Sequence, residues 1–468
     1  MANSQASKKH AHIIGICGKA TSALALALAN AGWKVTGSDK GFYPPASDLL
    51  TEAGIKFYPG WHPEKMGKPD IVIPIGYAGE NNPEWQYAKD NNIPLVPYTQ
   101  VFRDYFIKPK SLVVAGTWGK TSSTALLAHI FTQAKLDPSY MMGGIPKSGE
   151  RPAHIGNGEW SVFEGDEYRS ERDDPTPKFV YYNPTHLLLT GLSWDHADLY
   201  PTEDHYFAVF EKLVSSIPPT GLIVACDNDT GVKRVLGGAL AKVVTYGRQS
   251  SADYQYVRVG QSSTGLRFGI KDKTNSYAIE SGLIGDFQAE NITGAFAIAL
   301  ELGIPAKSII ASIRSFAGLR QRLEKVCQTK STTVINDLAH SPDKARATLR
   351  NLREIYSGKI VAVFEPNLGG RNAEMASRYT GAFSAADSVI IPRLSKQKID
   401  PDRTAKPMDG ADLAKLISRA HLDVRYIPDD DKLVEQLATE APMVIVFLGS
   451  HGFRGMIEAT CLRLQSQP

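Results

Sequence analysis

Gly116-Thr-Trp-Gly-Lys-Thr121 is the stretch whose residue types and spacing most directly prescribe chemistry. It follows an apolar run, Ser111-Leu-Val-Val-Ala115, and leads into a helix-forming segment. Glycines let backbone N–H groups approach phosphate oxygens, and a helix N-terminus adds a positive field. Lys120 would reach the β- and γ-phosphates of a nucleotide, and the Thr121 hydroxyl would sit on Mg²⁺. Gly116, Thr117, Gly119 and Ser122 would complete the cradle. The full phosphate-loop pattern asks for glycine five places before Gly119, where this chain has Val114.

Three further groups could act on a bound phosphate. Glu164 ends the apolar run Trp160-Ser-Val-Phe and opens the acidic cluster Glu164-Gly-Asp-Glu-Tyr168. Two readings stand side by side: acids placed for a helix dipole, or a carboxylate sharing Mg²⁺ with Thr121. Asp195-His196 follows the next apolar run, His186-Leu-Leu-Leu-Thr190. A lone histidine is usually structural. On a neighbouring strand end, however, His196 and Glu164 could hold a second metal around the γ-phosphoryl group. Arg320 and Arg322 are either solvated hinge charges or phosphate clamps delivered by domain closure. Asp337-Leu-Ala-His340-Ser-Pro342 places another acid and histidine past a strand, suited to ribose or substrate contacts.

Positioning these groups takes more than one core. A chain of 468 residues suggests roughly three domains. The first, His10-Ala-His-Ile-Ile-Gly-Ile-Cys-Gly18, reads as a strand and glycine turn, followed by a helix to Ala31 and a strand Lys34–Asp39 ending on an acid. That is the mononucleotide-binding half of a doubly wound fold, or a glycine turn serving only strand–helix packing. Ile71–Ile75 and Ile93–Pro97 read as further strands, and Phe106–Lys110 as the linker into the phosphate-loop domain. In the middle segment, Ser250–Tyr277 reads as a small antiparallel insertion between α/β elements. The last segment offers four buried strands, at 333–337, 360–364, 388–391 and 443–447, in a parallel sheet. The expected fold is α/β in three domains. These are a Rossmann-like domain over 1–109, a central phosphate-loop domain over 110–322 and a second Rossmann-like domain over 323–468.

Hydrophobic content of 43% and charge of 22% are ordinary for a globular protein. A net charge of +3 gives no basis for a nucleic-acid surface, and no apolar run approaches the roughly 20 residues of a membrane span. Met1–His10 reads as a polar tail, not a secretory leader. Cys17, Cys226, Cys327 and Cys461 have no metal or redox spacing and read as reduced thiols of a cytoplasmic protein.

Taken together and in order, Gly116–Thr121, Glu164–Glu167, Asp195-His196, Asn291, Arg322-Leu-Glu324 and Asp337–Pro342 resemble the Mur ligases, the ATP-dependent amide-forming enzymes of peptidoglycan assembly. The resemblance spans nearly the whole chain. Gly37-Ser-Asp-Lys-Gly-Phe-Tyr-Pro-Pro45, Glu164–Tyr168, Asp195-His-Ala-Asp198 and Phe364-Glu-Pro366 look most like the branch that joins recycled L-Ala-γ-D-Glu-meso-diaminopimelate to UDP-N-acetylmuramate. The branch that adds L-alanine is the near alternative. The resemblance implies ATP and Mg²⁺, small-molecule partners and a monomer. It assigns catalysis to Lys120, Glu164, His196 and Arg322, with metal on Thr121, Glu164 and His196. Asn291 would contact adenine, Arg322 the phosphates and Asp337 the ribose side. Gly15, Cys17, Gly18 and Asp39 would serve the UDP moiety, and His340, Glu365 and Arg371 the peptide.

Several residues depart from the family pattern. Trp118 replaces a histidine within the loop, Phe287 and Gln288 replace His-Asn, and Gly191 and Ser193 replace polar residues before Asp195. Ser341 replaces a second histidine, and Asn367–Arg371 stands where an arginine usually follows Pro366. Outside this class, a nicotinamide oxidoreductase would use the first glycine turn but leave Lys120 and Thr121 idle. A nucleotide-gated binding protein would need no ligation at all.

Overall fold

The computed structural model describes residues 8–75, 78–79, 81–171, 174–196, 199–371, 375–395, 407–450 and 452–466. Residues 1–7 of the expected tail, and Ala197 and Asp198 of the acid–histidine motif, lie outside them.

Three sheets organise the chain. The first has four parallel strands in the order Lys56–Pro59, Lys34–Asp39, His10–Ile14, Ile71–Pro74. The expected strand at 93–97 reduces to a single bridge, Val72 with Leu95. Pro94 and Pro97 carry no N–H for a ladder. The helix Lys19–Asn30 packs its Ala-Leu face inward, with Leu24, Ala25 and Leu28 fully buried. It stops where Gly32 takes φ +90°, a left-handed turn that glycine adopts without penalty.

The second sheet has ten strands, and Lys110–Ala115 lies within it between His186–Leu189 and Trp160–Gly165. Leu112 to Ala115 are fully buried, as expected of a parallel strand covered on both faces. The Ser250–Tyr277 region is built into this sheet. Its strands Tyr254–Ser262, Gly265–Lys271 and Ser276–Ser281 extend this same sheet, starting from a parallel pairing of Tyr246 with Tyr254.

The third sheet has six strands where the sequence offered four: Glu324–Gln328, Thr333–Asp337, Val444–Gly449, Ile360–Glu365, Ser388–Pro392 and Val424–Ile427. Both additions are edge strands, and Glu324–Gln328 is antiparallel and only partly buried. Cys327 on that edge is disulfide-bonded to Cys461 of the last helix, Met456–Gln465, 134 residues later. The expectation of four reduced thiols is therefore corrected. Packing of the last helix beside the edge strand brings the two Cα atoms to 6.0 Å, a bonding separation. Cys17 and Cys226 are free and buried.

Contacts group the chain into two compact units. The first holds the chain up to Arg258 with Phe268–Ser281 and Ala289–Ala317, and so the first sheet and most of the second. The other holds Val259–Arg267, Gly282–Gln288 and Gly318 onward, with the third sheet. Among the described residues no helix is long and apolar enough to cross a membrane.

Candidate active site

The loop from Gly116 to Gly119 joins the buried strand Lys110–Ala115 to the helix Lys120–Gln133. Two glycines are structurally required. Gly116 has φ +134°, and a Cβ there would lie 2.2 Å from Thr190 Oγ1. Gly119 has φ +78°, and its Cβ would lie 2.3 Å from Asn291 Oδ1, so the expected adenine-contacting residue borders the loop. The loop is bound to the next strand end. Thr117 N–H donates to the Gly191 carbonyl at 2.8 Å, Thr117 Oγ1 to the Ser193 carbonyl at 2.7 Å and Thr190 Oγ1 to the Trp118 carbonyl at 2.6 Å. Gly191 and Ser193 thus serve through their backbones, which tolerates the change of side chain. No side chain caps the helix and no acid sits in its first turn, so its own sequence leaves the positive end open to acids from elsewhere.

Lys120 Nζ donates to the Gly116 carbonyl and forms an ion pair with Glu167 Oε2 at 2.9 Å. Thr121 Oγ1 donates to Glu164 Oε1 at 2.8 Å, and Gly143 N–H to Glu164 Oε2 at 2.6 Å. Glu164 therefore stands on the hydroxyl expected to hold the metal. The ion pair of His196 is with Glu167. Its Nε2 lies 3.5 Å from Glu167 Oε1, on the carboxylate that also pairs with Lys120. The hydrogen bond to Glu167 raises the His196 pKa, against burial, with Asp195 adding to the rise. His196 holds φ +55°, an uncommon value for a non-glycine residue. Its ring meets Tyr168 edge-on at 5.2 Å.

Glu167, to which residue types alone assign no role, joins Lys120 and His196. It is 1% exposed and is also touched by Tyr206 Oη at 3.5 Å, while its carbonyl accepts from Tyr200 Oη at 2.5 Å. The signal was present in the cluster Glu164–Tyr168, but strand alternation alone does not say which acid faces Lys120. The remaining acid, Asp166, pairs with Lys178 at 2.6 Å; burial pushes its carboxyl up, and that partner nonetheless holds it below the usual range. Thr121, Glu164 and Glu167 offer hard oxygen donors of the kind Mg²⁺ takes together with substrate phosphates. Among the described residues no three His, Cys, Asp or Glu side chains form a metal cage by themselves.

In the first sheet, Gly15, Cys17, Gly18 and Asp39 line one cleft of about 400 Å³, together with Tyr43, Trp61 and Asn82. Asp39 Oδ2 accepts from the Cys17 N–H at 2.8 Å, and a Cβ on Gly15 would meet Ile75 at 2.6 Å. Burial first, and Asp39 second, push the Cys17 thiol up to about 11.

Arg322 and Asp337 belong to the second unit. Asp337 accepts from the Leu323 N–H at 2.8 Å and the Thr348 hydroxyl at 3.0 Å, and so pins a turn in which Gln321 and Leu323 both have positive φ. In this arrangement Asp337 orients the Arg322 turn. Glu365 and Arg371 are 0% and 6% exposed and lie 3.8 Å apart. Arg454 reaches Glu365 at 3.4 Å and Asp430 at 2.9 Å. His340 accepts the Asn367 N–H at its carbonyl, 3.3 Å, which sets it beside the same strand end.

Comparison with known proteins gives this geometry its context. Residues 10–106 match the family description "Mur ligase family, catalytic domain", 114–299 "Mur ligase middle domain" and 321–451 "Mur ligase, glutamate ligase domain". A UDP-N-acetylmuramate–L-alanine ligase of Acidithiobacillus ferrooxidans is 28% identical over 445 residues, 93% of each chain. One of Renibacterium salmoninarum is 29% identical over 433 residues, 91% of this chain and 89% of the relative. Among solved structures, a UDP-N-acetylmuramate–alanine ligase of Thermotoga maritima superposes with TM-score 0.81 at 23% identity, covering 98% and 99% of the two chains. A murein peptide ligase of Psychrobacter arcticus does so with TM-score 0.71, also at 23% identity and the same coverage. With three successive domains matched and the phosphate loop, its carboxylates and the first-sheet cleft assembled as described, the chain belongs to the Mur ligase family of amide-bond ligases.

Proposed function

We propose that this ligase joins the lactyl carboxylate of UDP-N-acetylmuramate to the amine of L-Ala-γ-D-Glu-meso-diaminopimelate, using ATP. A carboxylate is a poor electrophile. Its oxygen would attack the γ-phosphorus, release ADP and leave an acyl phosphate. The amine would then add to the carbonyl, and the tetrahedral intermediate would collapse to amide and phosphate. The observation that carries the reaction class is the placement of Lys120, Glu167 and His196 on one charge cluster beside the Thr121–Glu164 pair.

Lys120 and the N–H groups of the loop would hold the γ-phosphoryl oxygens in place as charge shifts onto the leaving ADP. Thr121, Glu164 and His196, with Glu167 beside His196, would hold Mg²⁺, which when bound neutralises charge on the phosphates. Exchange of the Lys120–Glu167 pair for a phosphate contact would free that carboxylate toward His196. Asn291 would take adenine, the first-sheet cleft the UDP moiety, Arg322 the phosphates, and His340, Glu365 and Arg371 the peptide-binding side. The three domains are proposed to divide at 109 and 322, and the enzyme to act as a cytoplasmic monomer.

The amine rests on motifs that also build the site. Glu164–Tyr168 supplies the Thr121 partner, the Lys120 partner and the ring against His196. The second reading, L-alanine as the amine, draws on relatives of that name at 28–29% identity. Product mass spectrometry with UDP-N-acetylmuramate, ATP and equimolar tripeptide and L-alanine separates them. The tripeptide adduct should dominate; a product carrying only alanine would transfer the proposal to the other branch.

A further inference from the structure

Behind the first-sheet cleft lies a carboxylate that no step above uses. Glu84 sits in the first turn of the helix Pro83–Asp90 and is 0% exposed. Its Oε1 accepts from the Tyr58 hydroxyl at 2.7 Å and from the His62 N–H at 2.8 Å. Its Oε2 accepts from the Ser38 hydroxyl and lies 3.4 Å from His12 Nε2. The other nitrogen of His12 is held by Thr36 Oγ1 at 2.8 Å. Burial alone would push the Glu84 carboxyl up; the bonds from His12, Ser38, His62 and Tyr58 overcome that and hold it low.

Burying a charge this completely is costly unless it is paired and bonded, and an apolar side chain would join helix to sheet without that cost. What an apolar side chain would not do is fix the height of a turn through one N–H. The partners explain why that matters. Ser38 precedes Asp39, His62 follows Trp61, and Asn82 caps the helix by accepting the Glu84 and Trp85 N–H groups at 2.9 and 3.2 Å. Asp39, Trp61 and Asn82 all line the cleft of about 400 Å³.

We propose that Glu84 is a positioning residue for the nucleotide-sugar cleft: from behind, it ties the strand end at Asp39, the turn at Trp61 and the helix start at Asn82 to one point. The inference rests on the reading of that cleft as the UDP site. It assigns Glu84 no contact with substrate.

Equilibrium binding of UDP alone to the full-length protein tests it, alongside the KM for each substrate. Glu84→Gln keeps the shape but turns an amide N–H₂ toward one pair of donors. UDP affinity should fall and the KM for UDP-N-acetylmuramate rise by about tenfold, the scale of one lost charged hydrogen bond. The KM for ATP and kcat should stay within about twofold, since those groups lie on another sheet. Should Glu84→Gln fail to fold, Ser38→Ala removes one donor only and should shift UDP affinity by about threefold. Unchanged UDP affinity in a folded variant overturns the proposal, as does an equal loss for ATP and UDP with a general fall in thermal midpoint. A parent protein that binds ATP but not UDP overturns the reading of the cleft, and the proposal with it.

Discussion

At the scale of single residues, Lys120 and His196 both pair with one buried carboxylate, Glu167. The consequence is a pH dependence of defined sign. The bond to Glu167 raises the folded-state pKa of His196 above its ordinary 6.5. Its stabilising contribution is therefore complete below that value and disappears as pH rises through the higher folded pKa. The thermal-midpoint difference between the parent and His196→Gln should be largest near about pH 6 and shrink toward about pH 9. Calorimetry across that range checks it, and a gap that widens with pH would contradict the pairing. Much of this site was legible from residue types. Lysine and threonine after a glycine turn suit a phosphate and a cation, and an acid ending an apolar strand faces the same edge. Glu167 was not legible as the shared partner. Its role depends on the turn after Gly165 and on the left-handed backbone at His196, neither of which a period-2 pattern encodes.

At the scale of elements, the loop geometry is set by what a side chain would strike. Gly119→Ala would combine φ +78° with a Cβ 2.3 Å from Asn291 Oδ1. The strain is expected to cost about 2 kcal/mol, and moving the loop off Asn291 should lower kcat/KM for ATP by roughly a hundredfold. Chemical denaturation and steady-state kinetics measure the two effects; a variant with parental kinetics would show that the loop tolerates the shift. Buried strands such as Leu112–Ala115 and Val444–Leu448 were legible because continuous apolar runs bounded by turns leave few alternatives. The edges were harder. Glu324–Gln328 is half polar because one side of it is open, and Val424–Ile427 contains Arg425 and Tyr426. The 93–97 stretch has strand-like apolar residues, but its prolines leave only one bridge.

For the whole molecule, three sheets fall into two compact units. The first carries both the phosphate loop and the first-sheet cleft proposed for the nucleotide sugar. Arg322, His340, Glu365 and Arg371 belong to the other. The Cys327–Cys461 bond was beyond reach, since 134 residues separate partners that only the packing of the last helix joins. The central claim is that the phosphate loop activates a carboxylate by phosphorylating it. The most direct measurement supplies UDP-N-acetylmuramate with ¹⁸O in both lactyl carboxylate oxygens, together with ATP and the tripeptide. Mass spectrometry of the released inorganic phosphate should find one ¹⁸O per phosphate, carried across in the acyl phosphate. Phosphate free of ¹⁸O, released at a rate indifferent to the muramate substrate, would contradict the account.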